Sequence, residues 1–554
     1  MYLDASASAG AKGQAMAGAD ASASVEVGGF VNNSGSSKTE GATTAKVSTI
    51  TAKGDLTRIA TGEIKDVGTA IDVGGNLTQK AETIVSKAAA DTTYSSSSAH
   101  AAEGRYGMYA GASAEASVTG GADADASIGA RWRADYSQSS ASSATSTAVA
   151  SSVKVGGNVD SRSSGLTQLE GTKLDAGGDV TIGAGQLKVT AARDTTTSQS
   201  TEGKGAVAVT VNINAKSVLG GEVSVAGEGS NTQAESSTAQ VASLSSGGKL
   251  KIVSAGDASF EGTALKGKES ASIDAGGKVN FDAATSTSSE TTHTAGASVG
   301  IGGSTGGKAD KDAKNGTVSV DASYQYSQAQ SATQTAGSIE GGTVSIASGG
   351  DTRLVGTNIA AERDVKVAAG GALQVEAKQD TSQSTSGGFG VTMGAGTDKS
   401  KDATSGKTQV ENSVTGGTSV NVDVSKTTQS TGASIVSKSG NVSLSSGKDT
   451  TLVGTQIAAE QGKASVQAGG QVVQKDAKST HEAGGAQVGL TMTVSDTAPA
   501  KDSTTTPPPT GGTKTNSKAK PKNVSGSFNA NRRDQSQATK VKAKEVDIQS
   551  QVKP

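Results

Sequence analysis

The chain has 554 residues, a formal net charge of −2, no cysteine, and only 33% apolar and 2% aromatic residues. That composition excludes a string of conventional globular domains, which bury more bulk, and it excludes disulfides and thiolate metal sites. It does not mean disorder, because Val, Ile and Leu recur in alternating triplets, as half-buried strands require.

In chain order, residues 1–42 read as the returning strand of a hairpin without its outgoing partner, followed by five units. The expected units are 43–150 (degenerate), 151–240, 241–337, 338–432 and 433–554. They are marked by one phrase: Leu169-Glu170-Gly171-Thr172, Phe260-Glu261-Gly262-Thr263, Leu354-Val355-Gly356-Thr357 and Leu452-Val453-Gly454-Thr455. Its glycines lie 91, 94 and 98 residues apart, and a looser copy, Ile59-Ala60-Thr61-Gly62, lies 109 residues before Gly171. Self-similarity at such a period predicts stacked units that bury their apolar faces against each other.

Within a unit, 341–377 is clearest. Val344/Ile346, Leu354/Ile359, Val365/Val367 and Leu373/Val375 alternate with polar residues, and Gly-Gly or Gly-Asp corners separate them. Gly157–Gly178, Gly256–Gly277 and Gly350–Gly371 are each 21 residues apart. That spacing predicts one coil of a three-sided β-helix, filled by aliphatic side chains because large rings fit a narrow lumen poorly. At a coil rise of about 4.8 Å, the rod is about 60 Å long if coils fill half the chain and about 125 Å if they fill nearly all of it.

The second half of each unit is Ser/Thr/Gln-rich and then alternates apolar residues with Gly. Ala297–Ile301 returning through Val318–Tyr324, and Gly388–Met393 returning through Val420–Val424, predict β-hairpin excursions. The stretch 497–522 is expected at a hairpin tip, Ser525–Ala530 in the strand returning from it, and Val546-Asp547-Ile548 in the first strand of a further coil. The chain is expected to begin and stop mid-repeat, as a piece of a longer protein whose open coil edges favour aggregation or fraying.

No run of 18 apolar residues exists, so no transmembrane segment is expected. Met1-Tyr2-Leu3-Asp4 lacks a signal region, which places any export address outside this chain. His100, His293 and His481 each precede an outgoing hairpin strand and are too far apart in sequence to converge on a metal. Gly302–Lys308 imitates a phosphate loop, but Ala309 stands where its hydroxyl belongs. Asp123 and Asp125 hint at calcium without the nonapeptide repeat that would bind it.

Nine cations between Lys514 and Lys544 against Asp534 alone could attract an anionic surface and otherwise form a solvated loop. Tyr106, Tyr109, Trp132 and Tyr136 fall on one hairpin, where cross-strand pairing stabilises them and exposure would let them grip sugar. A glycan-cleaving β-helix would need carboxylates in register on one strand face, and none are. No catalytic, cofactor-binding or metal residue is assigned, no cofactor or nucleic acid is expected, and the chain is read as no enzyme.

The segments SGGDTRLVGTNIAAERDVKVAAGGALQVEAKQD and SSGKDTTLVGTQIAAEQGKASVQAGGQVVQKDAKST resemble the haemagglutinin repeat of bacterial filamentous haemagglutinin-like exoproteins. Similar repeats occur in contact-dependent growth inhibition exoproteins. The likeness is specific at 340–380 and 440–480, good at 155–195 and 245–285, weaker at 45–80, and only patterned in the hairpins. It implies an all-β, right-handed parallel β-helix (a solenoid), exported through an outer-membrane two-partner-secretion transporter to the cell surface or medium. It also implies a stalk for adhesion to a receptor or glycan or, alternatively, the repeat region of a toxin-delivery protein. Neither the family's secretion domain nor a toxin domain is recognisable here.

Overall fold

A computed structural model describes the backbone of residues 2–12, 18–117, 121–214, 218–306, 314–401, 408–499 and 518–550, and the side chains of 22–112, 126–214, 218–306, 314–399, 409–496 and 531–550. Every regular element among them is a β-strand. Short strands wind into coils of three. Thr49–Ala52, Leu56–Ile59 and Glu63–Val67 form the first coil, and Ala70–Val73, Leu77–Ala81 and Thr83–Lys87 the second.

Each strand lies parallel on the one before it in the stack, with Thr49 opposite Ala70 and Leu56 opposite Leu77. The ladders continue upward until Lys540–Ser550, the start of the last described winding, covers two faces of the one below it. This is the predicted three-sided parallel β-helix. Eleven described windings at about 4.8 Å each span about 50 Å, near the shorter expected length.

Period 2 sends alternate side chains inward, as in the buried Val344, Ile346 and Ser348 of Val344–Ser348. Leu244, Ile252, Ile346, Val367, Leu444 and Leu452 are fully buried in one continuous core. The expectation that rings stay out of the lumen is corrected: Phe260 and Phe281 are both buried and stack at 4.3 Å with 13° between their planes. They are register partners on successive coils. Coil spacing is itself close to a ring-stacking distance.

At the first coils the interior turns polar. The Arg58 guanidinium donates two 2.9 Å hydrogen bonds to the inward-facing Asp66 carboxylate, and Gln79, Ser86, Ser161 and Thr167 help line a cavity of about 40 Å³ above the pair.

Two corners carry the sequence signature. Gly171, Gly262, Gly356 and Gly454 have φ of 58–59°, a left-handed conformation that glycine adopts without steric cost. The fifth member is Gly68 of Val67-Gly68-Thr69, φ 59°. Gly62, expected from the looser copy, is not among the positive-φ glycines. At the other corner type, Asp and Asn oxygens accept backbone N–H groups of the next coil. Asp55, Asn76, Asn158 and Asp179 form such a ladder, at 2.7–2.8 Å per step.

After every second coil the chain leaves as a long antiparallel hairpin. Described hairpins comprise Ala89–Ser117 with Gly121–Val149, Ala192–Asn214 with Leu219–Gln240, Ala284–Thr305 with Lys314–Thr335, Lys378–Lys401 with Thr408–Thr431, and Ala477–Pro499 with Lys518–Gln537. Gly18–Thr43 also has an outgoing partner, Tyr2–Lys12, where the sequence suggested none. Neighbouring hairpins pair edge to edge, so these strands make one 12-stranded antiparallel sheet separate from the coil ladders. We call this sheet the fin.

Candidate contact surface

The fin is rooted at the positive-φ corners. A Cβ at Gly171, Gly262 or Gly454 would lie 2.5–2.7 Å from the Cβ of Ala192, Ala284 or Ala477, the first residue of the outgoing strand one coil above. The repeated glycine therefore marks where a hairpin departs. Adjacent hairpins are also tied near their bases: Asp91, Asp194 and Asp380, each third in its outgoing strand, accept the backbone N–H of Ala45, Ala148 and Gln334 at 2.6–2.7 Å. Ser286 and Ser479 do the same for Ala239 and Ser430.

Tracing the register across the fin gives it two unlike faces. One row runs through Trp132, Val209, Val223, Ile301, Val318 and Val414. Two residues further toward the base, the next row on the same face runs through Val207, Val225, Val299, Val320, Met393 and Met492. Val225, Val299 and Val320 keep 40–47% of their surface exposed in mid-sheet, so nothing among the described residues covers this face.

The intervening residues point the other way. They are small or polar, as in Ala226, Ser298, Ser323 and Ser419, with charges concentrated on the hairpins at 89–149 and 192–240. That face holds a furrow of about 880 Å³ bordered by Glu103, Arg133, Asp135, Lys204, Glu228 and Asp321. The charges are largely paired locally, Arg133 with Asp135 at 2.7 Å and Arg105 with Glu103 at 2.6 Å. Asp135 raises the Arg133 pKa above its ordinary value through a hydrogen bond and its charge.

The residues singled out from sequence disperse. All three histidines lie inside outgoing strands, not before them. His293 Nδ1 is 2.8 Å from the Tyr324 hydroxyl, and His481 Nδ1 is 2.8 Å from Thr427 Oγ1. They sit on different hairpins from each other and from His100. Among the described residues no three His, Asp or Glu side chains are grouped to hold a metal.

Trp132 pairs directly across strands with Tyr106, and both are exposed; Arg131 lies 5.6 Å from the Tyr109 ring. Gly302–Thr305 ends the outgoing strand of its hairpin, and Gly307 and Lys308 lie outside the described residues, as do the side chains of Asp123 and Asp125. The basic run is not one loop. Lys518–Gln537 is a fin strand and Lys540–Ser550 a coil strand, Arg532 meets Glu482 and Asp534, and Lys514 lies outside the described residues. The tip segment at 500–517 does too. Val546-Asp547-Ile548 lies, as expected, in the strand that opens a further coil, Lys540–Ser550, where it stacks on Ala464–Val466.

The sequence reading missed that hairpins join into one sheet and that the sheet has an apolar face. The signal was present as Val207/Val209/Val211 and Val223/Val225, but hairpin partners beyond the nearest one are invisible to local periodicity.

A family model described as the hemagglutinin repeat matches residues 27–131, 132–282, 261–388 and 423–490, spanning coils and hairpins alike. The chain belongs to the hemagglutinin-repeat family. A similar curated protein, a hemolysin of Serratia marcescens, is 28% identical over 271 residues, 48% of this chain and 16% of that protein. The chain thus aligns with about one sixth of that relative. No solved structure matches it.

Proposed function

We propose that the chain is a non-catalytic, adhesive contact region of a secreted or surface-exposed bacterial exoprotein, with repeat units 43–150, 151–240, 241–337, 338–432 and 433–554. The supporting observation is the fin: twelve strands held clear of a rigid rod, with a hydroxyl-rich furrow crossing several hairpins. A receptor or glycan lying along the furrow meets equivalent Ser and Thr positions on successive hairpins. Weak contacts then add, because each later one forms at high effective concentration.

The test is binding of the purified chain to target cells and to immobilised glycans. Replacing Ser323 and Ser419 by Arg, which plugs the furrow, should lower binding at least about tenfold without changing the melting temperature. Unchanged binding removes the furrow from the contact surface.

The Serratia relative's name favours a second reading, the repeat region of a protein that acts on another cell and carries a toxin encoded with this segment. A toxin domain followed by a small immunity protein in the neighbouring reading frames is the result that selects it.

A further inference from the structure

We propose that the apolar face of the fin is covered by a second copy of this chain, packed face to face about a two-fold axis. The inference goes beyond the adhesive reading and does not depend on it. Four successive rows on that face, across the ten strands from Gly18–Thr43 to Ala477–Pro499, contain no Asp, Glu, Lys or Arg. Three interleaved rows on the opposite face carry Glu103, Arg105, Arg133, Asp135, Lys204, Glu228 and Asp321. A surface without charge meets its own copy with no like-charge repulsion and offers a charged partner nothing to pair with.

Size points the same way. Ten strands at about 4.8 Å and four rows at about 6.8 Å cover roughly 1,300 Å² per copy. A soluble monomer seldom exposes an apolar patch above about 600 Å². Burying the face on both copies removes about 2,600 Å², within the range of obligate homodimers.

The relief is also self-complementary. Gly203, Gly205, Gly227 and Gly229 form a hollow in the face: no atom lies within 4 Å of a Cβ placed on Gly203, and only backbone oxygens, at 3.6–3.8 Å, approach the other three. Trp132 and Tyr136 stand on one side of the hollow and Tyr324 and Phe389 on the other, all at least 43% exposed. In an isologous contact, the rings of each copy fill the hollow of the other. Aligned sheets pack about 10 Å apart, which leaves room for one interdigitated layer of such side chains.

The experiment is the oligomeric state of the full chain by sedimentation equilibrium, with Trp132, the sole tryptophan, as an internal probe. A dimer is expected, with Trp132 emission shifting to the red on dilution. The double variant Val225→Lys/Val299→Lys should weaken dimerisation roughly 100-fold or more by placing unpaired ammonium groups in the interface. Ser323→Arg/Ser419→Arg, on the opposite face, should leave the dimer intact. A circular dichroism spectrum unchanged in the lysine variant separates loss of association from loss of fold. A wild-type chain that stays monomeric at micromolar concentration overturns the proposal, whether or not it floats with phosphatidylcholine vesicles. A dimer that survives in the lysine variant overturns it as well.

Discussion

Gly262 is constrained twice. Its φ of 58° is strained for any residue with a Cβ, and such a Cβ would meet Ala284 Cβ at 2.6 Å and Val241 Cγ1 at 2.7 Å. Gly262→Ala is therefore expected to cost at least about 1–2 kcal/mol from the dihedral alone and to loosen the root of the hairpin beginning at Ala284. Gly203→Ala, with open space around it, should stay within about 0.5 kcal/mol of wild type. Thermal melts of the two variants, with hydrogen exchange at the hairpin base, check the contrast.

Asp351 gives a second prediction at this scale. Its carboxylate accepts the Ala372 N–H at 2.9 Å and faces Lys278 at 3.5 Å, and these interactions, the hydrogen bond first, hold its pKa below the ordinary value. A carboxylate whose pKa is lower in the folded state contributes stability that is fully present above the unfolded value, about 4, and lost as pH falls through the folded one. Asp351→Asn keeps the acceptor oxygen, as Asn76 and Asn158 do at the other corner. Between pH 5 and pH 2.5 the wild type should lose melting temperature relative to this variant; parallel curves would contradict the assignment.

At the scale of elements, the two-coil repeat has a geometric reason. Two coils raise the rod by about 9.6 Å, and one hairpin widens the fin by two strand spacings, also about 9.6 Å. Rod and fin advance together only if each hairpin is separated from the next by two coils. Deleting the single coil 152–172 preserves the rod, because Ala70 then faces Lys173 in the register Ser152 now holds. It brings two hairpin roots one spacing too close. Deleting one whole 91-residue repeat, 152–242, keeps both periodicities, since Ser243 then occupies the place of Ser152 in the ladder. The 91-residue deletion is expected to be the milder one, with the shorter deletion showing faster proteolysis and hydrogen exchange in the hairpins flanking it. Equal protection in both would show that fin and rod are not coupled.

At the scale of the molecule, Gly-Thr phrases, 21-residue glycine spacing and alternating Val, Ile and Leu were enough to specify a three-sided coil with hairpins, because those signals are local: a corner needs its glycine, and a strand shows its buried face every second residue. The wrong assignments were those that depended on neighbours. Gly62 resembles a corner glycine, but Gly68 is the one whose corner a hairpin root approaches. Phe260 and Phe281 look too large singly and fit because each lies on the other. The inward Arg58–Asp66 pair cannot be read from either residue alone. The two-faced fin was least legible, since Val223 and Ile301 lie 78 positions apart and meet only when separate hairpins close edge to edge. Sequence by itself determined the coil, its period and its family, since each is encoded in short-range repetition. Tertiary structure alone decided which hairpins share a sheet and which side chains form a surface, since pairing between distant strands depends on where the rod holds their roots.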